Sequence, residues 1–280
     1  MMKSEAPELS VIIPWSNRPE IKTTLDANGP LFGTRDVEVI VVNCGGDNSQ
    51  LLELLRRPAV ASLRCVELTA ATFNKSLALN LGAYAARADR LFLLDTDVLL
   101  KDDFLTAALE KLDAQSFVTA ERVFESRVQH EDAASELEEL IYSIKLSVRG
   151  GREASVETNR VRFSDGSRSA PGIVMLARKH FLEVAGMNSD LQGWGWEDLD
   201  LLVRLQLALS LRQQQAGAVV HLTHGDEYRY FGQRGRAESE HTNFSICLEN
   251  YRLGYFFGTY SDDVQTWQER LVLHQPSGAA

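Results

Sequence analysis

Short apolar runs alternate with segments of helical period along the first third of the chain. Residues 9–13 read as a strand closed by Pro14, followed by a loop at 15–19 and a short helix over 19–27. Residues 37–42 are apolar on one side and nearly so on the other, the pattern of a parallel strand buried on both faces. A glycine-rich turn at 43–47 leads into a helix over 48–57, and residues 63–68 form a third strand. Phe73, Leu77, Leu81 and Tyr84 recur at helical spacing and predict a helix over 74–87. Residues 91–94 are a fourth apolar strand. Strands and helices in alternation imply a parallel, doubly wound sheet.

Further along, the pattern predicts a helix over 101–112 and a strand at 116–119. Leu137, Ile141, Ile144 and Val148 place an amphipathic helix over 133–148, with Glu136, Glu138 and Glu139 on its solvated side. Residues 149–169 read as a mobile polar loop holding a short strand. A strand at 172–177, helices over 179–185 and 197–213 and a strand at 217–222 follow. An aromatic loop with Tyr228, Tyr230 and Phe231 precedes a last helix near 237–252, and residues 276–280 read as a disordered tail.

Composition narrows the class. The 280 residues are 44% hydrophobic and 24% charged, as in ordinary soluble proteins. No apolar run reaches the length of a membrane span, and residues 1–8 show no signal-peptide core. Cys44, Cys65 and Cys247 are widely spaced and odd in number, which suggests reduced thiols in the cytoplasm and not a disulfide framework or zinc site. Lys plus Arg number 29 against 39 Asp plus Glu, a formal charge of −10. That balance argues against nucleic acid as a partner. A phosphate ligand would need a metal or local cations to invert the field at its site.

Four stretches carry chemistry. Asp95, Thr96 and Asp97 end the fourth strand, where an α/β sheet binds ligands and where two carboxylates suit a divalent cation. Taken alone, Asp97 fits a turn or a helix cap equally well. Gly193-Trp194-Gly195-Trp196 precedes Glu197 and Asp198. Acidic residues are favoured in a first helical turn, but that does not account for two tryptophans and two glycines beside them. Flat indole rings make sugar platforms, and a carboxylate there could deprotonate a hydroxyl. His221 and His224 follow a strand and, with carboxylates, suit Mn²⁺ or a similar ion. Phe73 and Lys75 open a helix whose N–H groups attract anions, although Phe73 alone reads as a core residue.

Together these stretches resemble the GT-A-fold glycosyltransferases, and are similar to the β-1,4-galactosyltransferases and their relatives in family 2. Ile12-Ile-Pro-Trp-Ser-Asn-Arg18 resembles that group's first strand and its Pro-Phe-Arg-Asn-Arg loop. Phe73-Asn-Lys-Ser-Leu-Ala-Leu-Asn-Leu-Gly82 resembles Phe-Asn-Arg-Ala-Lys-Leu-Leu-Asn-Val-Gly. Asp95-Thr-Asp97 stands where the group has Asp-Val-Asp, Trp194-Gly-Trp-Glu-Asp198 where it has Trp-Gly-Gly-Glu-Asp, and His221-Leu-Thr-His224 where it has Met-Ile-Arg-His.

The resemblance implies one GT-A domain over 1–280, a mostly parallel sheet flanked by helices, with a nucleotide-sugar half at 1–120 and an acceptor half at 170–260. Pro14, Arg18, Asn43, Phe73, Lys75, Asp95 and Thr96 would face the nucleotide. Asp97 and His224, with His221 as a possible third, would hold Mn²⁺ or Mg²⁺. Trp194, Gly195, Trp196 and Glu197 would bind sugars, and Asp198 would be the base of an inverting transfer from a UDP-sugar, galactose type favoured. Residues 226–240 would close over the acceptor. Lys75 in place of Arg, Ser16 in place of Arg and Trp196 in place of Gly leave donor and acceptor identity open. A retaining enzyme like the polypeptide N-acetylgalactosaminyltransferases and a non-catalytic sugar-binding module are the alternatives.

Overall fold

The computed structural model describes residues 6–56, 58–69, 71–101, 103–127, 136–225 and 235–275. Strands β1 (Leu9–Trp15), β2 (Val37–Cys44), β3 (Leu63–Leu68) and β4 (Arg90–Leu93) alternate with helices α1 (Glu20–Gly33), α2 (Asn48–Leu54) and α3 (Lys75–Ala85). β2 and β4 flank β1 in parallel, and β3 lies parallel beyond β2. Both β1 and β2 are buried at every position, as apolar runs covered on two faces should be. The winding reverses between β1 and β4, so the carboxyl ends of these two strands border the crevice where such sheets bind ligands.

β1 does not end at Pro14 as its sequence suggests. Its register with β4 stops at Ile12, while its register with β2 continues through Pro14 and Trp15. A missing N–H is tolerated where a strand is paired on one side only.

The chain divides into two units. The first comprises the residues up to Asp97, Leu176–Asp190, and those from Gly258 onward; the second comprises Val98–Met175 and Leu191–Phe257. In the second unit, β5 (Val98–Leu100) leads into α4 (Phe104–Lys111) and β6 (Ser116–Glu125).

Of the helix expected over 133–148, residues 133–135 lie outside the described residues and the rest is mainly a strand, β7 (Glu139–Ser147); the expected loop at 149–169 is largely β8 (Glu153–Arg162). β7 has most of its residues exposed, so no single buried face selected one period over the other. The hairpin turns at Gly150 and Gly151, both at positive φ. Cross-strand ion pairs also fix it: Arg160 reaches Glu139 at 2.6 Å, so Glu139 is not merely solvated.

β9 (Arg168–Ala177) runs antiparallel to β6 and ends in the first unit, where α5 (Arg178–Glu183) follows. Helix α6 (Glu197–Leu209) stops short of the expected residue 213, because Ser210 turns left-handed at φ 55°. β10 (Arg212–His221) then pairs parallel with β6 and antiparallel with β5.

Helix α7 (Arg236–Leu253) begins beyond the aromatic loop, most of which lies outside the described residues, as does the tail after Gln275. It is not the last element. α8 (Tyr260–Trp267) and β11 (Leu271–His274) return to the first unit, where β11 pairs antiparallel with β3. The three cysteines are buried free thiols. Burial pushes Cys44 up to about 11 and, together with the nearby Glu67 charge, Cys65 up to about 12. Among the described residues, no helix is long and apolar enough to cross a membrane.

Candidate functional site

At the carboxyl edge of the first unit, two carboxylates meet two cations. Arg18 Nη2 donates to Asp97 Oδ2 at 2.9 Å, and Lys75 Nζ lies 2.9 Å from Asp95 Oδ1. The turn that presents Arg18 is fixed from below. Trp15, fully buried at the end of β1, donates its indole N–H to the Arg18 carbonyl at 2.7 Å. The sequence pattern places Trp15 in a loop, and nothing in it signals this role. Arg18 also bonds Glu20 at 3.0 Å. Thr96 is buried, and its carbonyl accepts from Thr24 at 2.8 Å, which ties the Asp-Thr-Asp turn to α1.

The other candidates of this edge surround the same strand ends. Asn43 closes its own turn: its amide donates to Gly46 O at 3.1 Å and accepts from Gly46 N at 2.9 Å. Gly46 has no room for a side chain, since a Cβ there would stand 2.6 Å from the Trp15 ring. Asn74 caps α3 by accepting from Leu77 N at 2.9 Å, leaving half-buried Phe73 just before the helix and Lys75 at its first position. Pro14 is buried within β1.

The tryptophan stretch belongs to the second unit and is stitched to α7. Trp194 N donates to Ser239 Oγ at 2.8 Å, and Asn243 Nδ2 donates to Gly195 O at 2.8 Å. The Arg236 guanidinium stands 4.4 Å over the Trp194 ring, and Trp196 lies against Phe244 with ring centroids 4.6 Å apart. Arg236, Ser239, Asn243 and Phe244 recur at helical spacing, so one face of α7 carries every one of these contacts. That spacing was present in the sequence and went unused.

Gly195 and Trp196 both take left-handed backbone, at φ 99° and 74°. This kink sets Glu197 and Asp198 in the first turn of α6, where the helix dipole favours negative charge. Glu197 is buried, and Asp198 is partly exposed. Behind them, buried Asp200 binds Arg204 at 2.8 Å and accepts from the Tyr251 hydroxyl at 2.8 Å, locking α6 to α7.

Also in the second unit, His221 ends β10 with its ring centroid 5.2 Å from that of His224. His221 Nδ1 lies 2.8 Å from Glu125 Oε2, and His224 Nδ1 lies 2.8 Å from Gly225 O. Burial pushes the Glu125 carboxyl up, but bonds and charge from His221 and Arg168 outweigh it and hold it below its usual range.

Residues 10–237 match the family described as glycosyltransferase like family 2. The chain belongs to that family. No curated protein matches the sequence. Among solved structures, this family 2 domain is similar to TarS of S. aureus, at 14% identity and a TM-score of 0.50, covering 87% of this chain and 39% of that one. It is also similar to the mannosyltransferase PcManGT from Pyrobaculum calidifontis, solved with GDP-Man and Mn²⁺, at 16% identity and a TM-score of 0.49, covering 80% of this chain and 59% of that one. The chain thus spans less than two thirds of either. At such identity the likeness concerns the fold, a mixed α/β sheet flanked by helices as in GT-A glycosyltransferases.

Proposed function

We propose that the chain is a metal-dependent, inverting glycosyltransferase. It moves a hexose or N-acetylhexosamine, galactose type favoured, from a UDP-sugar to an acceptor hydroxyl. The observation that carries this reading, within a family 2 domain, is the carboxyl edge of β1 and β4. There Asp95 and Asp97 follow a buried strand, facing Lys75 and Arg18. The two cations supply positive charge for a pyrophosphate in a chain whose formal charge is −10. Phe73 stacks on the base, while Pro14, Asn43 and Thr96 shape the nucleotide's surroundings.

Asp97, His224 and His221 are the proposed metal ligands. The chain itself supports this set: Asp97 is bonded to Val98, and Val98 is the register partner of His221. One carboxylate and two imidazoles fit Mn²⁺ better than an all-oxygen set would. A bound ion supplies neutralisation of the pyrophosphate and of the charge that develops on leaving UDP. Trp194, Gly195, Trp196 and Glu197 hold sugars. Asp198 takes the proton of the acceptor hydroxyl. The acceptor oxygen bonds the anomeric carbon as that carbon's bond to the β-phosphate oxygen breaks, and UDP leaves with the electron pair. Direct displacement inverts the centre.

A donor panel read by released UDP, with the anomeric product assigned by NMR, tests the reaction. UDP release from a UDP-sugar with inversion is expected, and a retained anomeric configuration overturns the mechanism. Calorimetric titration of Mn²⁺ with UDP tests the metal set. Asp97→Ala should lose metal-dependent UDP binding. His224→Ala should weaken it and shift preference toward Mg²⁺, and unchanged affinity would remove His224 from the set.

A further inference from the structure

Glu125 ends β6 in register with His221, the last residue of the parallel strand β10. Its two oxygens have different partners. Oε1 accepts from Arg168 Nε at 2.9 Å and from Arg168 Nη2 at 2.8 Å. Oε2 accepts from the Thr223 hydroxyl at 2.9 Å and faces His221 Nδ1 at 2.8 Å. The paired bonds from the guanidinium hold Glu125 as a carboxylate, and a carboxylate only accepts hydrogen bonds. The short contact with His221 therefore requires a proton on Nδ1. A neutral imidazole protonated there has its lone pair on Nε2. His224 is set the same way, because its Nδ1 faces a carbonyl oxygen, which can only accept. Both rings thus present Nε2 as the atom able to bind a cation.

We propose that Glu125, clamped by Arg168, is a positioning residue that holds His221 as the Nδ1–H tautomer with Nε2 as a metal ligand. This rests on the reading of His221 as part of the metal set. A carboxylate behind a ligating imidazole fixes the ring and raises its basicity, and losing such a partner typically lowers metal affinity 10–100-fold. Arg168 binds the carboxylate oxygen that His221 does not, so it acts on the metal through Glu125. Neither residue is legible in the sequence, because one acid and one arginine far apart in the chain carry no spacing signal. Only the strand register brings Glu125 beside His221.

Two measurements test the proposal. Nitrogen-15 spectra of histidine-labelled protein without metal, at a pH where His221 is neutral, should show its proton on Nδ1. A proton on Nε2 overturns the proposal without any variant. Titration of Mn²⁺ in the presence of UDP should then show a fall of about tenfold or more in Glu125→Gln, with the melting temperature close to that of the wild type. Arg168→Gln should give a smaller fall in the same direction. The result that overturns the inference alone is a weakened His221→Ala beside an unchanged Glu125→Gln. Unchanged affinity in His221→Ala overturns the assignment of His221 as a ligand, and the inference with it.

Discussion

Arg18 donates to Asp97 across 2.9 Å, with the two side chains only 14% and 9% exposed. Trp15 grips the Arg18 carbonyl from the core, so this cation is fixed and not a drifting surface charge. A fixed positive charge would oppose the metal ion proposed at Asp97 and favour the proposed pyrophosphate beside it. Arg18→Gln should therefore act with opposite signs on two affinities. Mn²⁺ alone should bind about tenfold more tightly, or ~1.4 kcal/mol. UDP in saturating Mn²⁺ should bind several-fold more weakly. Calorimetry with and without UDP reads both, and a change of the same sign in both would exclude this antagonism.

Asp198 is held at the start of α6 by the 195–196 kink and by the Asp200–Arg204–Tyr251 lock behind it. Asp198→Asn keeps that geometry and removes the proposed proton acceptor. The turnover number should fall on the order of 10²–10⁴-fold, with UDP affinity nearly unchanged. Turnover close to wild type would remove Asp198 from the base role.

The parts of the molecule legible in the sequence are those where burial imposes one period. β2 and the strand before Asp95 are covered on both faces, so their apolar runs have one reading. α3 is helical with Leu77 and Leu81 buried, although Phe73 precedes it and Tyr84, the last of the expected stripe, is exposed. The hairpin at 139–162 was not legible, because Leu140, Ile141 and Tyr142 are exposed and satisfy either period. α8 and β11 were missed because their structure depends on distant partners. Asp263 of α8 is held by Asn80 and Ser189, and β11 exists by pairing with β3. Around the proposed site, the motif residues stand out by type and spacing, whereas the contacts that support them do not. Trp15 and Glu125 act through contacts that only the folded chain creates, and the helical spacing of the α7 face does not by itself say what that face touches.

Trp196 gives a test that does not depend on activity. Its φ of 74° is costly for a bulky residue, about 1–2 kcal/mol. The contact with Phe244, at 4.6 Å between centroids, offsets part of that cost. Trp196→Gly loses the contact and relieves the backbone, whereas Trp196→Ala loses the contact and keeps the strain. The glycine variant should be the more stable of the two by about 1 kcal/mol in urea unfolding. An alanine variant of equal stability would mean that residue 196 need not be left-handed.

Glu38 and Asp263, both in the first unit, should give stability opposite dependences on pH. Glu38 is fully buried in β2. Burial pushes its carboxyl up, but bonds from Ser10 and from the Arg87 backbone and side chain, with the Arg64 charge, bring it below its ordinary 4.5. A lowered folded value means that its contribution is present above 4.5 and is lost as pH falls through the folded value. Burial likewise pushes Asp263 up. Donors from Asn80, Ser189 and Thr259 recover only part of that, and the Asp190 charge adds to the rise, so it stays above 3.8. Its contribution is therefore complete below 3.8 and is lost as pH rises through the folded value. Glu38→Gln should cost about 2–3 kcal/mol near neutral pH, and the deficit should shrink on acidification. Asp263→Asn should gain on the wild type as pH rises from acid to neutral. Urea unfolding at three pH values from acid to neutral decides both. Parallel pH profiles for wild type and Asp263→Asn would show that Asp263 titrates alike in the folded and unfolded chain. A Glu38→Gln deficit that stays constant in acid would show the same for Glu38.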